Sequence, residues 1–213
     1  MYFCIKKYIL FLGSIFLASL FHIVSYAFFP FFIIYWIINK FNLLKRKNII
    51  FITLITFIIG NTSIIKTIFL NLNKVFDTGV ISYGLSYASS KYAEQASFMG
   101  LFERVFFLML IIIFIDKLKV DEKNKIIISM YLTGVFIYFL FFDMGIYARR
   151  FSSLYKISDI ILIPNLLNAI KDENKYLRII IYIMFILIVT SRVIAVFGNP
   201  SGNYIPYNFL WNY

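Results

Sequence analysis

YILFLGSIFLASLFHIVSYAFFPFFIIYWIIN, residues 8–39, contains no charged side chain, and Lys6-Lys7 and Lys40 close it at either end. As one straight helix it would extend about 48 Å, against a hydrocarbon layer of about 30 Å. Both flanks, the second reinforced by Lys45-Arg46-Lys47, have the basic character of cytoplasmic loops. The stretch is therefore predicted to cross the membrane and return. The turn is placed near His22–Ser25, between helices over about 5–21 and 24–39, with Pro30 kinking the second.

The same grammar recurs along the chain. Ile49–Ile65 and Ile126–Phe142 are also free of charge, hydrophobic residues make up 62% of the 213, and only 15% are charged. The mean hydropathy is +0.85. A soluble domain carries roughly a quarter charged residues. The expected fold is an all-α, polytopic integral membrane helix bundle, a single transmembrane domain over 1–213. Its seven or so spans are placed at about 5–21, 24–39, 48–70, 98–115, 126–142, 152–170 and 179–197. Residues 71–97, polar and rich in Ser and Tyr, form a periplasmic loop, and the tail 198–213 lies outside. The opening Met1–Phe21 has the basic start of a signal peptide. Its apolar run continues to Ile38, however, well past a signal core of about 7–15 residues, so it is expected to stay.

The formal net charge of +11 does not point to nucleic acid, because most Lys and Arg sit in loops on the side that the positive-inside pattern makes cytoplasmic. Membrane lipids and an anionic lipid-linked substrate are compatible partners. Cys4 is the single cysteine and His22 the single histidine. No disulfide framework, zinc cluster or haem site is expected, and no metal or cofactor.

The remaining charges lie at membrane depth. Counted from the cytoplasmic loops at about 1.5 Å per residue, His22 is about 22 Å up, Glu103 and Arg104 about 18–20 Å, Asp159 about 18 Å, Arg192 about 21 Å and Asp143 about 27 Å. Lys156 lies one turn beyond Asp159, and Arg149-Arg150 follow Asp143. Ionisable groups at such depth cost at least about 2–3 kcal/mol each unless paired or facing water. A common level suggests a common cavity. Simpler readings stand beside this one: Arg149-Arg150 solvated in an outer loop, Lys156 and Asp159 neutralising each other at i, i+3, Arg192 snorkelling to the interface, and His22 making an ordinary hydrogen bond. Glu103 and Arg104 are adjacent, point apart and each need a partner elsewhere. Cations outnumber carboxylates in the layer, which favours an anionic ligand, and the planar fork of arginine suits phosphate oxygens.

Three elements resemble a family. Phe16-Leu-Ala-Ser-Leu-Phe-His22 entering an apolar helix, Ala148-Arg149-Arg150-Phe151 before a helix ending Ile160-Ile-Leu-Ile-Pro164, and the closing Ile205-Pro206-Tyr207 are similar to bacterial polysaccharide polymerases of the EpsG-like and O-antigen polymerase (Wzy) type. Members carry further spans upstream, so the chain resembles the C-terminal portion of that fold, and a truncated, inactive form is an open alternative. The resemblance implies a metal-independent glycosyltransferase of the bacterial inner membrane, acting in polysaccharide or lipopolysaccharide biosynthesis. Its donor would be a glycan on undecaprenyl diphosphate and its acceptor a lipid-linked repeat unit at the periplasmic side. A chain-length regulator and a flippase are the protein partners it implies. Arg149, Arg150, Arg192, Arg104 and Lys156 would bind the diphosphate, and His22, Asp143 or Asp159 would serve as base. An O-antigen ligase, another lipid-linked glycosyltransferase, or a transporter or flippase fragment are the competing readings.

Overall fold

The computed structural model describes residues 10–18, 28–75, 95–119 and 121–197, and every regular element among them is helical. These helices are α1 (10–18), α2 (Phe29–Lys40), α3 (Arg46–Asn61), α4 (Ile64–Val75), α5 (Phe98–Leu118), α6 (Glu122–Leu140), α7 (Gly145–Ser153), a 3-10 turn (Leu154–Ser158), α8 (Asp159–Ile170) and α9 (Lys175–Phe197). His22, most of the expected outer loop and the tail after Phe197 lie outside the described residues. The chain divides into two units, Met1–Ala169 and Ile170–Tyr213. Among the described residues two helices, Phe98–Leu118 and Lys175–Ile194, are long and apolar enough to cross a membrane.

Three expectations change. Pro30 does not kink α2, because it falls in the helix's first turn, where a missing N–H removes no intrahelical bond. The stretch 48–70 is two helices rather than one. Its break at Thr62–Ser63 follows from polar side chains that compete for backbone groups. Asn61 Nδ2 donates to Phe57 O at 2.8 Å, Thr62 Oγ1 donates to Ile59 O at 2.7 Å, and Ser63 adopts φ 54°. The stretch 152–170 is likewise not one regular α-helix: α7, the 3-10 turn and α8 follow one another without a gap.

At the centre of the first unit, α6 packs against α2, α3, α5, α7 and the 3-10 turn. Its burial is all-round, from Ile128 through Phe139 on every face, as expected of a helix surrounded by others. Local chemistry starts it cleanly: Asp121 Oδ1 accepts from Asn124 N at 2.7 Å, and Glu122 sits in the first turn, where a carboxylate is favoured by the helix dipole. In lipid there is little hydrophobic gain between helices, so small residues that let backbones approach set the contacts. Gly60 of α3 touches the Phe139 carbonyl so closely that any Cβ would collide with it. Gly134 of α6 does the same for Tyr155, whose Cβ would lie 2.7 Å from a Cβ placed there. Tyr155 is held from the other side by Phe28 and Phe31, at ring separations of 5.5 and 6.4 Å. The 3-10 turn is thereby pinned between α2 and α6.

Candidate functional site

Where α5, α6, α7 and the 3-10 turn meet, they enclose a small cavity of about 10 Å³, lined by Glu103, Arg104, Tyr131, Ser152, Lys156 and Asp159 among others. That volume admits roughly one water. Glu103 and Arg104 are each only 6% exposed. Their side chains find partners on different elements, as their adjacency on α5 requires. Lys156 Nζ lies 3.7 Å from Glu103 Oε1. Arg104 donates to Ser152 Oγ at 2.7 Å and to Gly100 O at 3.0 Å, and its guanidinium lies 3.7 Å from the centre of the Tyr138 ring. Ser152 in turn donates to Ala148 O. The Tyr131 hydroxyl donates to Arg104 O at 3.3 Å, and the Tyr138 hydroxyl donates to Ser97 O at 3.1 Å.

Asp159 completes the group. Lys156 and Arg104 are cations within its electrostatic reach. Its Oδ1 is buried and receives no hydrogen bond among the described residues. The cavity therefore pairs two cations with two carboxylates, an arrangement that limits the cost of burying each charge.

The expected polar layer divides. Glu103, Arg104, Lys156 and Asp159 come together. Arg149 and Arg150 are exposed on α7 and do not line the cavity. Arg149 nevertheless lies close enough to Tyr138 to act on its hydroxyl electrostatically, and its Nε donates to Gly145 O at 3.2 Å. Asp143 stands apart, accepting from Ser63 Oγ at 2.7 Å. Arg192 belongs to α9 of the second unit, and His22 lies outside the described residues. The excess of cations inferred for one pocket is thus not a property of this cavity.

Uncharged wall residues escaped a reading based on charge. Tyr131 and Gly134 line the cavity, and Tyr138, whose ring lies against the Arg104 guanidinium, follows Tyr131 at i+7 on the same face of α6. Two tyrosines and a glycine on one stripe of an apolar helix were the available signal. Ser152 carried none, since its role depends on the turn that brings α7 against α5.

No curated protein and no solved structure matches the chain. The EpsG family matches residues 1–209. A mostly apolar helical chain, with charges buried among its helices and a family match over nearly its whole length, belongs to the EpsG family, membrane proteins of the polysaccharide-polymerase type.

Proposed function

We propose that this chain is a multi-pass polymerase of the bacterial inner membrane, transferring a glycan from undecaprenyl diphosphate to a hydroxyl of a lipid-linked repeat unit at the periplasmic side. The acceptor oxygen attacks C1 of the donor sugar, its proton passes to a base, and the C1–O bond breaks with its electrons leaving on the diphosphate. Catalysis then needs cations at the leaving group and a carboxylate near the acceptor. Arg149 and Arg150 are the exposed cations suited to diphosphate. Arg104 and Lys156, beside Asp159 in the cavity lining, are the further cations for the diphosphate.

The observation that carries the reading is Asp159 Oδ1, an acceptor left open inside the charged cluster. Asp143 is engaged by Ser63, which favours Asp159 of the two as base, with His22 the other candidate. Arg104 links this cluster to α7, because Ser152, its hydrogen-bond partner, is on the helix that bears Arg149 and Arg150.

The test is polymer length in cells that depend on this chain. Asp159→Asn and the pair Arg149→Ala/Arg150→Ala are expected to collapse the ladder of polymer lengths to single repeat units while lipid-linked repeat units accumulate. An unchanged ladder for the arginine pair removes the diphosphate role, and an unchanged ladder for Asp159→Asn transfers the base to His22.

A further inference from the structure

At the N-terminal end of α6 lies a second, larger cleft, of about 600 Å³. Asn39, Asn42 and Leu44 line it from the α2 side, and Lys119, Glu122 and Lys125 from the side of α6. The wall charges sum to one positive. Lys125 Nζ is 2.6 Å from Glu122 Oε1, and Lys119 Nζ is 2.8 Å from Asp116 Oδ1, a carboxylate shared with Arg46 at 2.9 Å. Around the mouth the balance is more basic: Lys40, Lys45, Arg46 and Lys47 have no carboxylate among residues 40–47.

We infer that this cleft binds the headgroup of an anionic phospholipid. Two lysines and two side-chain amides converge on a space that holds a phosphodiester, and lysine binds phosphate as a point charge. The rim supplies the second half of the argument. Trp36 and Phe41 are 51% and 60% exposed, and Lys40 Nζ sits 4.6 Å and 5.6 Å from their ring centres. An exposed tryptophan capped by a lysine is the chemistry of the headgroup level of a bilayer. A headgroup in the cleft can therefore leave its acyl chains in the lipid beside α2. The positive-inside pattern assigns this end to the cytoplasmic leaflet, whose anionic lipids give it a negative surface. Basic clefts between membrane helices on that side are suited to such headgroups. The site is separate from the cavity of Glu103 and Asp159 and does not depend on the polymerase reading.

The test uses the full chain purified in a neutral detergent, with bound lipid counted by native mass spectrometry. Phosphatidylglycerol, phosphatidylcholine of the same acyl chains, and inorganic phosphate are the probes. One phosphatidylglycerol is expected to be retained in preference to phosphatidylcholine. Lys119→Glu/Lys125→Glu is expected to weaken that retention about tenfold or more, whereas Lys123→Glu/Lys171→Glu, with the same change in net charge outside the cleft, changes it by about twofold at most. Glu122→Gln frees Lys125 from its ion pair and is expected to strengthen retention, a gain that misfolding does not imitate. Equal losses in the two double variants would reduce the effect to diffuse surface charge and overturn the site. So would equal retention of the two lipids, or displacement of phosphatidylglycerol by millimolar inorganic phosphate.

Discussion

Arg104 donates a 2.7 Å hydrogen bond to Ser152 Oγ, tying α5 to the short helix α7 through a guanidinium that is almost wholly buried. The same guanidinium spans the backbone carbonyl of Gly100 and the face of Tyr138. Its geometry is that of a fastener between helices. It holds the segment 145–158 against the centre of the bundle, where hydrophobic collapse offers no force in lipid.

Arg104→Ala is expected to destabilise the fold by about 2–4 kcal/mol, since it also strips a cation from beside Asp159. Ser152→Ala should cost about 1–2 kcal/mol. A double-mutant cycle in detergent unfolding is expected to return a coupling of at least about 0.5 kcal/mol. Strict additivity would mean that the two side chains do not support one another.

Lys156→Met is the informative contrast. Lys156 is 39% exposed, but Glu103, 3.7 Å away, is only 8% exposed, so loss of the lysine leaves a buried carboxylate short of a cation and should cost about 1–2 kcal/mol, below the cost of Arg104→Ala. Equilibrium unfolding of Lys156→Met beside Arg104→Ala checks the ranking, and a larger loss for the lysine reverses it.

Close backbone approach makes a second ranking. Gly60→Ala puts a methyl on the Phe139 carbonyl, which belongs to the central helix and cannot swing aside. Gly134→Ala presses on Tyr155 Cβ at 2.7 Å, a smaller overlap with a side-chain atom. Both are expected to destabilise by about 1–3 kcal/mol or more, Gly60→Ala the more severely. Thermal unfolding of the two purified variants reads the order directly.

Ser63 carries φ 54° at the break between α3 and α4 and donates to Asp143 at 2.7 Å. Ser63→Asn, which tolerates that backbone, should be near neutral. Ser63→Val should lose about 1–2 kcal/mol, from left-handed strain together with the hydrogen bond. Equal unfolding midpoints for the two would show that the break is not held by this residue.

Sidedness can be checked without purification. Reporter fusions at Lys45 and Lys123 are both expected to report the cytoplasm, as the positive-inside distribution requires. A periplasmic signal at either overturns the assignment of the cation-rich end.

The helical character was legible in long charge-free runs, because lipid forbids open backbone and leaves the helix as the simplest way to satisfy it. The breaks were less legible. Depth counted at 1.5 Å per residue assumes an uninterrupted helix, and Leu154–Ser158 is a 3-10 turn while Thr62–Ser63 breaks the helix. An equal rise therefore did not translate into one pocket for Asp143, Arg149 and Arg150. Glu103 and Arg104 were legible as residues in need of partners, since neighbours on a helix point apart. Which partners they take was not.

Composition and charge spacing by themselves determined a helical chain with buried ionisable groups, and quoted motifs determined its family, because these properties are written locally in the order of residues. Only tertiary structure decided that Lys156 and Asp159 join Glu103 and Arg104 while Arg149 and Arg150 stay at the surface. The reason is physical: a side chain's neighbours depend on how each helix is rotated and where it breaks, and those are set by glycine contacts at residues 60 and 134 and by the Arg104–Ser152 bond between distant segments.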